Sequence, residues 1–176
     1  PDMAMFGKAL GNGYAITAII GKREIMEATQ NTFISSTFWT ERIGPTAALK
    51  TLEIMEKTES WKTITKQGGK IRNGWQKIAD EKGIKLKIEG LNALSGYSII
   101  SKKAKEYKTL ISQEMLKRGY LATTCCYTAV AHTDKIVEEY LENLNEVFET
   151  IQKCENGKNI DELLNGPICH DGFKRL

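Results

Sequence analysis

No stretch of this chain approaches the roughly 20 consecutive apolar residues that a membrane-spanning helix requires. The longest apolar run, Tyr14 to Gly21, is only a strand's length. Cysteine is sparse, with four residues at Cys125, Cys126, Cys154 and Cys169. None has the paired spacing of a zinc site or a redox dithiol, so reduced thiols in a cytoplasmic protein are expected. Neither charge sign dominates: 25 basic and 22 acidic residues are spread along the whole length, leaving no basic face built to neutralise a nucleic-acid backbone. Residue 1 is proline and the first methionine is residue 3, so the expectation is the later portion of a longer chain. Repeats, low-complexity tracts and charge blocks are also missing.

What remains is a globular balance, 41% hydrophobic and 27% charged over 176 residues, enough for a real core. Residues 1 to 13, PDMAMFGKALGNG, place Gly7, Gly11 and Gly13 around Lys8, a composition of tight loops. Ala15 to Gly21 follows as a continuous apolar run, which predicts a strand covered on both faces, as in a parallel sheet. A brief helix is expected from Lys22 to Ala28.

From Glu41 to Lys57 apolar residues recur at helical spacing over nearly half the circumference, the pattern of a well-buried helix with Pro45 in its first turn. Thr40 suits its cap. A second helix is expected from Ser60 to Lys82, with Trp61, Ile64, Gly68, Ile71, Trp75 and Ile78 on one stripe. Gly68 and Gly69 there permit a bend or a close contact. The period then changes to two: Ile84, Leu86 and Ile88 alternate with charged residues, and Tyr97 to Ile100 offers a partner strand. Ala104 to Arg118 reads as a helix closed by Gly119, and Tyr120 to Ala122 as a short extended piece. The last long helix buries Val137, Tyr140, Leu144, Phe148 and Ile151 behind a Thr133 cap.

Several residues invite a chemical reading. A lysine between glycines, directly before an apolar strand, can be held rigidly against a flat ligand. To attack an aldehyde its amine must lose a proton, which a desolvated, positively charged setting favours. The loop lacks the order of a P-loop and of the dinucleotide fingerprint. Cys169 and His170 suggest a nucleophile and its base, but sequence neighbours rarely have the geometry a dyad demands. Lys102, Lys103, Lys105 and Lys108 read as the solvated start of a helix.

The segment PDMAMFGKALGNGYAITAIIGKREIME resembles the lysine segment of class III pyridoxal-phosphate aminotransferases, particularly the relatives of glutamate-1-semialdehyde 2,1-aminomutase. SSTFWTERIGPTAALKTLE is similar to the family segment whose threonine reaches the cofactor phosphate of the neighbouring subunit. GYLATTCCYTAVAHTDKIVEEYLENLNEVFE resembles its final helix with the preceding histidine and threonine, His132 and Thr133. The resemblance implies that Lys8 forms the Schiff base with pyridoxal 5'-phosphate and that Thr37 binds the phosphate. It also implies a homodimer acting on a small-molecule amino donor and acceptor. His132 reads as structural, and Phe38 and Trp39 as core or substrate-entrance residues. Asp2 matches the family's proline-aspartate ahead of the lysine, not the acidic partner of the pyridine nitrogen; that partner, the stacked ring and the main phosphate loop all lie earlier in the family.

The implied architecture is α/β, the C-terminal part of a fold-type I transferase. Residues 1 to 58 would end the large cofactor domain, and 59 to 176 would form the small α+β domain. The implied reaction is amino-group transfer or its intramolecular aminomutase version. A non-catalytic chain that only associates with a partner is the competing expectation.

Overall fold

The computed structural model describes residues 1–170, which divide into two compact units, Pro1–Ser60 and Trp61 onward. In the first unit, β1 (Met3–Phe6) and β2 (Ala18–Gly21) pair antiparallel with Met3 opposite Gly21 and Phe6 opposite Ala18. Helix α1 (Arg23–Met26) continues as a 3-10 turn through Asn31, and α2 spans Ile43–Thr58. The apolar run around Ala18 is therefore neither parallel nor covered on both faces. Met5, Phe6, Ile19 and Ile20 are exposed.

Helix α2 departs from expectation in the same way. Of its residues only Gly44 and Ala48 are buried, while Ile43, Leu49, Leu52 and Ile54 stand open. The helical period is present, but no element of the described chain covers most of that face. Its start also differs. The Glu41 carboxylate, not Thr40, takes the free first-turn amides, accepting from Ile43 N–H and, at 3.1 Å, from Gly44 N–H.

The second unit holds the core. Helix α3 (Ser60–Lys82, entering from the boundary residue) is followed by β3 (Leu86–Leu91), β4 (Leu94–Ile99), α4 (Ala104–Lys117), β5 (Cys125–Tyr127) and α5 (Asp134–Glu155). The sheet runs β3-β4-β5, antiparallel throughout. Asn92 and Ala93 alone join β3 to β4, a tighter turn than the sequence indicates, and β5 was not legible at all.

Alternation assigns the faces. Ser95, Tyr97 and Ile99 are buried toward the helices, whereas Lys85, Lys87 and Glu89 face water. Tyr97 packs edge-on against Trp75 of α3, with centroids 4.8 Å apart, and against Phe148 of α5 at 6.1 Å. Trp75, Tyr107, Leu110, Ile111, Met115, Leu144 and Phe148 are essentially without exposure. Inside this core Trp75 Nε1 donates to the Tyr140 hydroxyl at 2.9 Å, so the indole is buried without an orphaned donor.

Of the three glycines of α3, Gly68 and Gly69 face the β3–β4 turn and Gly74 faces Leu141 of α5. A Cβ at Gly68 would fall 1.8 Å from the Asn92 carbonyl oxygen of the β3–β4 turn, and Arg72 on the same helix donates to the Glu89 and Gly90 carbonyls at 3.0 and 2.7 Å. The helix therefore grips the turn with backbone contact that no larger residue permits. At the far end, Thr133 caps α5 by accepting from Ile136 N–H at 3.4 Å, and Gly119 closes α4 at φ +87. No helix among the described residues is long and apolar enough to cross a membrane.

Candidate functional site

The loop between β1 and β2 carries the lysine. Gly7 is extended, Lys8–Leu10 forms a 3-10 turn, and the chain then passes through Asn12 and Gly13 to Tyr14. Lys8 and Asn12 both occupy the left-handed region, at φ 47 and 46. For a lysine this conformation costs on the order of 1–3 kcal/mol and persists only where the surroundings hold it. Here Asn12 N–H donates to the Lys8 carbonyl at 3.2 Å, Leu10 N–H to Gly7 at 3.0 Å and Tyr14 N–H to Gly11 at 3.1 Å. A Cβ at Gly11 would lie 2.1 Å from the Tyr14 carbonyl oxygen, so only glycine lets the loop close on itself.

Lys8, Ala9, Asn12, Gly13, Tyr14 and Ala15 line an open hollow of about 530 Å³. The Lys8 side chain is exposed there, and among the described residues no second charged side chain lines the hollow. The desolvated, positively charged setting anticipated for this amine is thus not supplied by the loop itself. These residues fit one part of an aldehyde cofactor: a primary amine for its carbonyl carbon and a bare glycine backbone for its flat ring. They provide neither an acid for a ring nitrogen nor a grip on a phosphate.

Thr37 lies outside that hollow, exposed in a bend where Phe38 N–H donates to Ser36 Oγ at 3.1 Å. Phe38 and Trp39 are also exposed, so neither joins a core in this chain. Asp2 forms an ion pair with Lys22 at 2.6 Å, closing the open end of the β1–β2 pair.

Within the second unit, an apolar cleft of about 620 Å³ lies beside Tyr120, Cys126, Tyr127, His132 and Tyr140. Cys125, an exposed free thiol, also lines it. Burial pushes the Cys126 thiol up, against the smaller opposing effect of its Thr128 contact, so the thiolate is scarce. His132 Nδ1 accepts from Ala129 N–H at 3.2 Å, the local structural role expected of it. Cys169 Sγ contacts the Lys105 carbonyl oxygen at 3.6 Å, and no hydrogen bond to His170 is formed by that sulfur among the described residues. Of the four lysines read as a solvated helix start, Lys102, Lys105 and Lys108 are exposed and Lys103, just ahead of α4, is half-buried. Among the described residues no cluster of His, Cys, Asp or Glu could hold a metal ion.

What sequence reasoning missed at the lysine is Gly44. A Cβ on this first-turn residue of α2 would come within 2.6 Å of the Ala15 carbonyl oxygen. A glycine-proline pair opening a helix was the only available signal.

An antiparallel strand pair bearing a strained lysine loop, followed by a helix-covered three-stranded sheet, is an arrangement with known counterparts. The chain belongs to the class III aminotransferases, whose family model matches residues 1–154. Pyridoxal phosphate is the cofactor of that family. The 3-aminobutyryl-CoA aminotransferase of Cloacimonas acidaminovorans (strain Evry) is 30% identical over 87% of this chain and 38% of its own length. The glutamate-1-semialdehyde 2,1-aminomutase of Methanocaldococcus jannaschii is 25% identical over 86% of this chain and 39% of its own. The pyridoxal-phosphate internal aldimine form of the FumI protein of Sphingopyxis sp. MTA144 shares the fold, with a TM-score of 0.78 at 24% identity over 90% of this chain and 39% of that one. The chain therefore spans about two fifths of the length of these relatives.

Proposed function

We propose that Lys8 is the cofactor-bearing lysine of a pyridoxal-phosphate-dependent enzyme that transfers an amino group between small molecules. The observation that carries this reading is the left-handed Lys8 backbone, held in a glycine-flanked loop at the mouth of an open hollow. Strain of that kind gathers where a side chain must be presented in one orientation. When bound, pyridoxal phosphate supplies an electron sink for the carbon beside the substrate's amine. Lys8 Nζ would anchor the cofactor through its aldehyde carbon and, once displaced by the incoming amine, move a proton at the substrate's Cα as base and then acid.

In this reading residues 1–58 end the large cofactor domain and residues 59–176 form the small domain; the two compact units part close by, after Ser60. The exposed Thr37 hydroxyl would hold the cofactor phosphate of a partner subunit in a cytoplasmic homodimer. Its position outside the Lys8 hollow accords with service to a different site.

The test is reductive trapping. Incubated with pyridoxal phosphate and then borohydride, the complete protein should gain one stable adduct at Lys8, located by peptide mass, and Lys8→Ala should lose it while keeping its far-ultraviolet dichroism. An equal adduct in Lys8→Ala would overturn the assignment. Residues 1–176 alone should label weakly, because the hollow offers no phosphate grip.

Similarity to a glutamate-1-semialdehyde aminomutase over 86% of the chain favours a second reading, intramolecular amino transfer with the same lysine. Turnover that proceeds without any added amino acceptor would select the mutase, and a strict acceptor requirement would exclude it.

A further inference from the structure

We propose that Gly44, in the first turn of α2, is a positioning residue for Lys8; the inference rests on Lys8 being the cofactor lysine. Lys8 holds a left-handed backbone in a short, mostly exposed loop, a conformation that persists where the surroundings support it. The loop is backed by Ala15 and Ile16, and these are held from two sides. On one side Gly11 comes so close that a Cβ would lie 2.8 Å from Ile16 Cγ2 and 2.1 Å from the Tyr14 carbonyl oxygen. Gly11 N–H in turn donates to the Lys8 carbonyl. On the other side Gly44 seats α2 on the same two residues, where a Cβ would meet the Ala15 carbonyl oxygen at 2.6 Å and Ile16 Cβ at 3.3 Å.

The obstacle at Gly44 is a backbone oxygen, not a side-chain tip that could swing away. Any larger residue must lift the first turn of α2 from the loop. That turn is fixed from its other end by the Glu41 carboxylate, which accepts from both Ile43 and Gly44 N–H. Glu41, Gly44, Ile16, Gly11 and Lys8 therefore form one continuous support, and Gly44 is the member that lets a long rigid element brace a short loop. Gly44 is buried whereas the α2 residues Ile43 and Leu49 are exposed, so the contact with the loop is what this end of the helix is shaped for.

The test compares Gly44→Ala with Thr46→Ala, an exposed change in the same turn. Two quantities are measured in the complete protein: hydrogen exchange of the Asn12 and Tyr14 amides without cofactor, and the rate of borohydride-trapped labelling at Lys8 across pH with pyridoxal phosphate. Gly44→Ala should speed exchange and slow labelling by about tenfold or more, the size expected from ordinary overpacking. Amides of α5 should keep their protection, showing that the second unit stays folded, and Thr46→Ala should change neither quantity. Ile16→Ala, which empties the seat without adding bulk, should move both in the same direction if Gly44→Ala does not fold. Wild-type exchange and labelling in both Gly44→Ala and Ile16→Ala would overturn the proposal. A wild-type protein that fails to label at Lys8 would instead sink the cofactor reading, and the exchange comparison would still decide whether Gly44 holds the loop.

Discussion

The two units solve opposite problems with similar raw material. The unit Pro1–Ser60 buries only Gly11, Gly44, Ala48 and Ser60, leaving Phe6, Tyr14, Phe33, Trp39 and Leu49 open. The second unit encloses Trp75, Tyr107, Phe148 and a dozen aliphatic neighbours in one continuous cluster. Both have strong hydrophobic periodicity, so periodicity reports what a segment is built to bury and not whether the described chain supplies the cover. The chemistry follows the same division: the strained lysine lies in the unit with almost no core of its own, whereas the well-packed unit offers an apolar cleft lined by Cys125 and Cys126, the latter with its thiol pushed up by burial.

The contrast is broken most directly by separating the units. Residues 61–176 produced alone should unfold in one cooperative transition followed by dichroism, and residues 1–60 should show none; a cooperative transition in the latter would erase the distinction. Next in size is Trp75→Ala. The side chain is wholly buried, packs against Tyr97 and satisfies Tyr140, so its loss should cost about 3–5 kcal/mol in urea unfolding. A loss below about 1 kcal/mol would mean that the cluster is loosely packed.

A smaller effect tests how α4 and α5 are tied. Tyr107 O–H and Ser101 O–H donate to Glu155 Oε1 at 2.6 and 2.8 Å, and these bonds hold its carboxyl below the usual range. A lowered folded-state pKa stabilises above the unfolded value, about 4.3, and that contribution disappears as pH falls through the folded value. Glu155 is exposed, so solvent screening limits the effect: Glu155→Gln should destabilise by about 0.5–1 kcal/mol at pH 7, with the gap from wild type narrowing as pH falls below about 4.3. A gap independent of pH would show that the carboxylate charge is irrelevant. The smallest effect belongs to the first unit: Asp2 and Lys22 are both more than half exposed, so Asp2→Ala should change stability by no more than about 0.5 kcal/mol.

Much of the second unit was legible. Ser60–Lys82 matches the expected helix end to end, because its stripe runs for six turns. Thr133 caps α5 as read, and Gly119 ends α4. The strand Cys125–Tyr127 escaped notice because three residues carry too little alternation to register. At the candidate site the glycine-flanked lysine stood out, since glycine spacing is a local signal. Gly44 did not, because its meaning lies in a carbonyl nearly thirty positions earlier in the chain.

Sequence alone determined the lysine loop, the helical and strand periods and the family, all of which depend on neighbours a few residues apart. Tertiary structure decided that the apolar strand near Ala18 pairs antiparallel and stays open, that Glu41 and not Thr40 caps α2, and that Gly44 braces the loop. The reason is physical: backbone preferences and apolar spacing are written locally, whereas burial and close approach are properties of whichever distant atoms arrive.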